Sequence, residues 1–418
     1  KNDNPKNEKV AIKNTHLEAA GIGDRIINLS HINTTGGGIT FSSYNRVLSK
    51  DFRLSDSSLN GTQISGQSSK GNIIIENNNL VSSQFQCNSC GVERNNNWNQ
   101  PNAGTISINN NTIDKYSSVR ITDHKLKTIQ INNNQFINDS RGIEINPNWY
   151  FYYLGLPWAS SGELKPTVVE IKNNTFKKDR NGVRVQKGNF TITGNNFIDS
   201  PGIRYEGGNQ EHQSGVYNFK INNNYFIKQK GDNGSYNNVY AIQNIGTVDD
   251  NLELKDNTFC SKDRVALRLS NNRLARMQAG DNYWNTTNKT AIQRNMIFDH
   301  LIDLDVKRTI SYGVHNRDRN PNLSSELEQA CSAEAEGSDP EDAPACTLGG
   351  MILPGMPALD PATCSVYNII EDVQIPKGVT LRANPGVKIE GKYKKIKVEG
   401  GLEFIGSKGS KIVINNTH

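Results

Sequence analysis

Lys127-Thr-Ile-Gln-Ile-Asn-Asn-Asn-Gln-Phe136 decides how the rest of the chain is read. Its skeleton is an aliphatic residue, two polar residues, Asn, any residue and a large apolar residue. The skeleton returns at Ile75 to Leu80, Ile108 to Ile113, Ile171 to Phe176, Ile192 to Phe197, Ile221 to Phe226 and Leu254 to Phe259. Asn78, Asn111, Asn134, Asn174, Asn195, Asn224 and Asn257 hold the shared position. The aliphatic anchors lie 33, 23, 40, 21, 29 and 33 residues apart. The shortest spacings are one bare coil and the longer ones are coils carrying loops. Self-similarity of this kind is the signature of a stacked array.

A second series runs between these units: Val92-Glu-Arg94, Val119-Arg-Ile121, Ile143-Glu-Ile145, Val183-Arg-Val185, Ile203-Arg-Tyr205 and Ala266-Leu-Arg-Leu269, several with Gly just before, as at Gly91, Gly142, Gly182 and Gly202. Alternation over three or four residues is the pattern of a half-buried strand, so each coil holds at least two short strands. Strands broken this often by Asn and Gly leave no room for the helices of a βαβ sheet, and the chain must coil. In a parallel β-helix the coils pair at a rise of about 4.8 Å, with aliphatic residues inward. Asn suits the turns because it tolerates the left-handed backbone region, bonds to local backbone and can stack as an amide ladder.

On these units the sequence resembles the right-handed parallel β-helix superfamily that includes pectate-lyase-like enzymes and many microbial surface proteins. The resemblance covers residues 9 to 285 and again 366 to 418. It implies an all-β solenoid and specifies architecture far better than activity.

Composition agrees. A hydrophobic content of 34% is low for a globe but normal for a thin solenoid whose residues all lie near the surface. The net charge of +5, from 47 basic and 42 acidic side chains, is too dilute to select nucleic acid, and no basic cluster is interleaved with aromatics. No run of 18 apolar residues could span a membrane. The opening Lys-Asn-Asp-Asn carries no apolar signal segment and reads as a mature or trimmed N-terminus. Cys87, Cys90, Cys260, Cys331, Cys346 and Cys364 lack a second CxxC or paired histidines, so disulfides are preferred to a metal site, with the pairing open. Disulfides favour an extracellular or cell-surface location. The Asn-x-Ser/Thr triplets, such as those at Asn33, Asn60 and Asn173, leave glycosylation open.

Taken in order, residues 1–285 form the parallel β-helix, with insertions at 82–104, 146–167 and 207–218. Gly280-Asp-Asn-Tyr-Trp-Asn285 looks like the closing coil of surface β-helices. Residues 286–315 are expected to supply a capping helix, because 291–306 is amphipathic and Thr290 stands at its start. Residues 316–365 read as an irregular, Cys- and Pro-rich linker, and 366–418 as the start of a second β-helix segment. The two ends echo one another: Gly406 to His418 set against Asn4 to His16 gives six identities in thirteen, ending in Asn14-Thr-His16 and Asn416-Thr-His418. The echo reflects either common repeat ancestry or a head-to-tail relation, between copies or along one tandem array. Val10, Ile12, Asn14, His16, Ile412, Ile414, Asn416 and His418 are the candidate assembly residues.

For chemistry, the outward residues of the second strand series stack as Glu93, Arg120, Glu144, Arg184, Arg204 and Arg268. The resemblance implies that this face could hold acidic polysaccharide, with Arg184, Arg204 and Glu206 as lyase candidates and Ca²⁺ or clustered cations to neutralise a uronate. The competing reading is a charge ladder in which neighbouring rungs compensate one another. The loop with Trp149, Tyr150, Phe151, Tyr152, Tyr153 and Trp158 is the most aromatic insertion, fit either to stack on sugars, to meet another subunit or to fold back on its own coils. No metal spacing, nucleophile motif or cofactor fingerprint is present. The whole reads as a structural subunit of an extracellular filament or surface array whose partner is its own copy. A polysaccharide lyase and a glycan-binding adhesin are the alternatives.

Overall fold

A computed structural model describes residues 10–13, 16–18, 27–41, 51–67, 71–88, 90, 104–122, 126–146, 167–186, 189–206, 218–228, 240–244, 251–260, 265–269, 277–279, 281–286, 292, 296–298, 310–312, 324–336, 346–352, 356–364, 366–391, 394–407 and 409–415. The chain is an all-β, right-handed parallel β-helix. One rung shows the plan: Thr128–Asn132 lies in sheet 1, Gln135–Ile137 in sheet 2 and Ile143–Asn146 in sheet 3. Every strand pairs in parallel with its equivalent one rung away. Among the described residues sheet 1 has 11 strands from Ile27–Ser30 to Ile310–Tyr312, sheet 2 has 10 from Val10–Lys13 to Thr258–Phe259, and sheet 3 has 11 from His16–Glu18 to Ile297–Phe298.

The asparagine corner divides its work between two residues. The first of the pair, Asn77, Asn110, Asn133, Asn173 or Asn223, takes the left-handed conformation with φ of 55° to 57°, which Asn accepts at small cost. The second turns inward and is buried. The Asn111 Oδ1 accepts the backbone N–H of Asn78 at 2.9 Å and its Nδ2 at 3.0 Å, while the Asn111 Nδ2 donates back to the Ile75 carbonyl at 2.9 Å. The pattern repeats through Asn134, Asn174, Asn195, Asn224, Asn257 and Asn282. It opens on the N–H of Ser57, held by the Asn78 Oδ1 at 3.0 Å. These corner donors lie out of reach of water, and without the ladder each would be an unsatisfied buried group.

Inside, the apolar position after each ladder Asn forms a column. Phe136, Phe176, Phe197, Phe226 and Phe259 stack with ring centroids 4.7, 4.6, 5.0 and 5.4 Å apart, and Trp284 closes the column tilted, 4.9 Å from Phe259. Rings repeating at about the strand spacing overlap face to face with small offsets. The corner between sheets 2 and 3 carries a second polar column of buried hydroxyls, Thr62, Ser83, Ser117, Ser140 and Ser200, with Asp179 in the same position one rung beyond Ser140. Glycine precedes sheet 3 for a steric reason. A Cβ on Gly182 would stand 2.2 Å from the Gly202 carbonyl oxygen, and one on Gly202 would stand 1.8 Å from that of Ala241.

The six cysteines form three disulfides, Cys87–Cys90, Cys260–Cys331 and Cys346–Cys364. The second ties helix α1, Ser325–Glu336, to the side of the solenoid, where Leu327 and Ala330 cover Ile198 and Ile227. Ser324 caps α1, its Oγ accepting the Leu327 N–H at 3.3 Å.

Several expectations need amending. Beyond 285, Ile297–Phe298 and Ile310–Tyr312 continue sheets 3 and 1, and Ile292 and Met296, in the stretch expected to be a capping helix, are helical in backbone and buried. The rest of 291–306, apart from 292 and 296, lies outside the described residues. The helix α1 lies within the segment read as irregular linker. Its Glu- and Ala-rich sequence shows little apolar periodicity because only one edge is covered. The sheet 3 strand near the first insertion is Gln84–Asn88, with Phe85 and Cys87 inward; Val92 to Arg94 lie outside the described residues.

A second solenoid with its own core begins at Thr347–Met351, earlier than 366. Its strands recur over three faces: Tyr367–Ile375 bends across two, Thr380–Ala383 forms the third, and Lys388–Glu390, Ile396–Val398 and Gly401–Phe404 repeat them one rung on, followed by Val413–Asn415.

If the corner is held as described, Asn174→Ala strands two donors of Asn134 and should lower stability by about 3 kcal/mol in urea denaturation, whereas Asn133→Gly, which keeps the left-handed turn, should stay within about 0.5 kcal/mol of the parent.

Candidate functional site: the sheet 3 face and the solenoid ends

Sheet 3 turns alternate side chains outward, and strand pairing puts Gln86, Arg120, Glu144, Arg184, Arg204, Gln243 and Arg268 opposite one another in successive rungs. The Arg120 Nε lies 3.3 Å from the Glu144 Oε2, with both side chains about half exposed. Arg184 stands between Glu144 and Arg204 in register, so the lower part of the column alternates in charge and the upper part stacks two arginines on neighbouring rungs. Glu206 closes the strand opposite Gln186; its side chain is outside the described residues. Glu93 and the aromatic loop from Trp149 to Trp158 are also outside them.

Sheet 1 carries a denser set of compensated charges. Glu170 accepts from Lys172 at 2.8 Å and from the Gln130 Nε2 at 3.2 Å, and the Lys172 hydrogen bond is the main reason its carboxyl is held below the usual range. Glu253 is lowered in the same way, first by Lys255 at 2.9 Å, with Asn222 and Lys220 adding to the effect. Such exposed pairs contribute little individually. Among the described residues no group of three or more His, Cys, Asp or Glu side chains is placed to hold a metal ion.

Asp179 is the one buried carboxylate in the hydroxyl column. The Ser140 Oγ donates to its Oδ2 at 2.5 Å, and its Oδ1 accepts the N–H of Asn181 at 2.9 Å and that of Gly182. Burial pushes its pKa up to about 6, against the opposing pull of these donors and of the Gly142 backbone. Outside the corner, Arg141 and Arg180 approach the Tyr116 ring, at 6.0 and 4.9 Å from its centroid, and the Arg180 Nε lies 3.5 Å from the Asp139 Oδ1. The sequence carries a partial signal for this column: Ser, Thr or Asp stands three or four residues after Leu59, Leu80, Ile113, Phe136, Phe176 and Phe197, but not after Phe226.

The solenoid ends are the other candidate. Val10–Lys13, His16–Glu18 and Ile27–Ser30 each pair on one side only among the described residues, and Ile27 and Leu29 are only partly buried. At the far end of the second solenoid the inward positions Val398, Leu402 and Ile414 are 43%, 42% and 42% exposed, and Ile405 beside them is 71% exposed. Of the residues expected to meet there, Ile412 is partly buried, Val10, Ile12 and His16 lie in described strands, and Asn14, Asn416 and His418 fall outside the described residues.

Comparison with protein-family models, with curated proteins and with solved structures finds no match to this chain. The class therefore rests on the fold: a right-handed parallel β-helix protein with an internal asparagine ladder and a second solenoid start. No helix among the described residues is long and apolar enough to cross a membrane.

The raised carboxyl of Asp179 has a defined consequence for stability. A folded-state pKa above the unfolded value of 3.8 makes its contribution complete below that pH and lost as pH rises through about 6. Between pH 4 and 8 the parent should lose about 3 kcal/mol relative to Asp179→Asn, read as the difference between their urea midpoints across that range.

Proposed function

We propose that the protein is a structural subunit of an extracellular filament or surface array, joined head to tail through its β-helix ends. What supports this reading is the state of the two outermost described rungs. One presents strand edges beside the half-covered Ile27 and Leu29; the other presents strand edges beside the half-exposed Val398, Leu402 and Ile414. Exposed parallel edges with inward apolar side chains seek another strand, and a head-to-tail contact that does not close into a ring builds a fibre. The partner is a second copy of the chain, and the role requires no cofactor. Three disulfides among the described residues support an oxidising, extracellular setting. Kinship with the pectate-lyase-like superfamily of microbial surface type is part of the same proposal, supported by three-faced rungs with stacked corner residues.

A second reading, an anionic-polysaccharide face, is favoured by one observation, the neighbouring positions of Arg184 and Arg204 on sheet 3. Two guanidinium groups about one rung apart suit the carboxylates of a uronate polymer. As a site of lyase chemistry it would need Glu206 or an equivalent base beside them.

Negative-stain microscopy and sedimentation of the purified chain should show fibres or end-to-end oligomers. Deleting residues 402–418 should abolish them, while Arg184→Ala with Arg204→Ala should leave them intact and remove any retention on immobilised polyuronate. Compact single particles at all concentrations would overturn the assembly reading.

A further inference from the structure

One flank of the solenoid changes sign along its length. In sheet 2 the strands Thr112–Asp114, Gln135–Ile137, Thr175–Lys177, Asn196–Ile198, Tyr225–Ile227 and Thr258–Phe259 follow one another on successive rungs. Beside the first three, at the strand end and the corner leading into sheet 3, stand Lys115, Arg141, Lys177, Lys178 and Arg180, with Asp139 as the exposed carboxylate next to them. The Arg180 Nε lies 3.5 Å from the Asp139 Oδ1. Lys115, Arg141, Lys177 and Lys178 have no carboxylate partner among the described residues. Sheet 1 behaves otherwise: there Arg53 pairs with Glu76, Lys172 with Glu170 and Lys255 with Glu253. An excess of positive charge is thus concentrated on three rungs.

The same three rungs present Tyr116 under backbone strain. Lys115 and Tyr116 both lie in the left-handed region, with φ of 40° and 58°, and their counterparts one rung on are Asn138 and Asp139 at 49° and 68°. Asn and Asp enter that region at small cost, whereas a bulky side chain does not. Strain of this kind persists where the conformation it enforces is used. Its effect here is to hold the Tyr116 ring outward, 46% exposed, where Arg180 and Arg141 from the next two rungs come within 4.9 and 6.0 Å of its centroid. Two guanidinium groups gather on one exposed ring.

The next three rungs are those on which α1 lies. Leu327 and Ala330 cover Ile198 and Ile227, and Cys331 is bonded to Cys260. The helix contains Glu326, Glu328, Glu334 and Glu336 and no Lys or Arg, and Glu326 and Glu328 are exposed. Asp199 and Lys228 stand at the corner beside it. The flank therefore has a basic half on the sheet itself and an acidic half raised above the sheet by the thickness of a helix.

We propose that this flank is a self-complementary interface on which a second copy of the chain lies side by side and antiparallel. A two-fold axis crossing sheet 2 between Thr175–Lys177 and Asn196–Ile198 sets the basic half of each copy against the α1 of the other. The helix of each then fills the step beside the helix of its partner. Every contact occurs twice, as an isologous interface requires, whereas a parallel pair would set like charges together. The contact goes beyond the end-to-end reading and does not depend on it, because it lies on the side of the solenoid and is mainly ionic.

Sedimentation of the full chain at low salt should show a dimer that about 0.5 M salt disperses, because exposed charges are screened there; end-to-end contacts through backbone and apolar groups should persist. Arg141→Glu with Lys178→Glu, and separately Glu326→Lys with Glu328→Lys, should each weaken the dimer by about tenfold or more, with circular dichroism showing the parental fold. Mixing the two variants should restore a one-to-one heterodimer, since each reversed patch then meets its complement. A dimer indifferent to both reversals, a mixture that fails to recover it, or a chain with no salt-sensitive pair at low salt would each overturn the antiparallel interface. Fibres that survive in about 0.5 M salt would in every such case leave the end-to-end reading standing.

Discussion

The corner between sheets 1 and 2 sets the terms for everything else. A three-faced rung must turn sharply there, and the turn leaves a backbone N–H pointing along the axis inside the wall, where water cannot reach it. The amide of the next rung's asparagine accepts that N–H and returns its own Nδ2 to carbonyl groups, so each corner is satisfied by its neighbour and not by itself. A buried donor left alone costs as much as a mutation that unfolds a marginal protein. The ladder therefore makes each rung depend on the one that follows, and stability becomes a property of the stack.

That dependence also defines the ends. A rung with no neighbour has polar edges without partners and inward side chains covered on one face only. Among the described residues the first solenoid has such a face beside Ile27 and Leu29 and the second beside Leu402 and Ile414. The sides of the solenoid need no such covering: charges on sheet 1 are compensated along a strand, as at Glu170 with Lys172 and Glu253 with Lys255, and between rungs where Lys220 meets Glu253. Where α1 docks, a disulfide and a few apolar contacts suffice.

Asp179 departs from the rule in its column. Where the other rungs place a hydroxyl, this one buries a carboxyl that collects donors from Ser140, Asn181 and Gly182. The gain is a tighter tie between the glycine turns at Gly142 and Gly182, which have no side chains of their own to bond with. The cost is a charge out of water, seen in the raised pKa. Tyr116, Arg141 and Arg180 lie on the outside of the same corner.

Local pattern was enough to establish the solenoid. A fixed run from Ile131 through Asn134 to Phe136, repeated seven times, specifies an inward aliphatic, an amide corner and an inward ring wherever it occurs, because those preferences act over six residues and need no distant partner. The outward column containing Arg184 and Arg204 was legible for the same reason. The disulfide partners were not, since Cys260 and Cys331 are 71 residues apart and meet only because α1 folds back on the wall. The helix itself was hidden because its own sequence has little periodicity, and the first insertion was misjudged because Gln84–Asn88 alternates Phe85 with a cysteine in place of an aliphatic residue. Which residues of the hydroxyl column lie directly above one another, and so where Asp179 sits within it, was decided by tertiary structure alone, because that depends on how many loop residues each coil sets aside, and no short-range rule counts them.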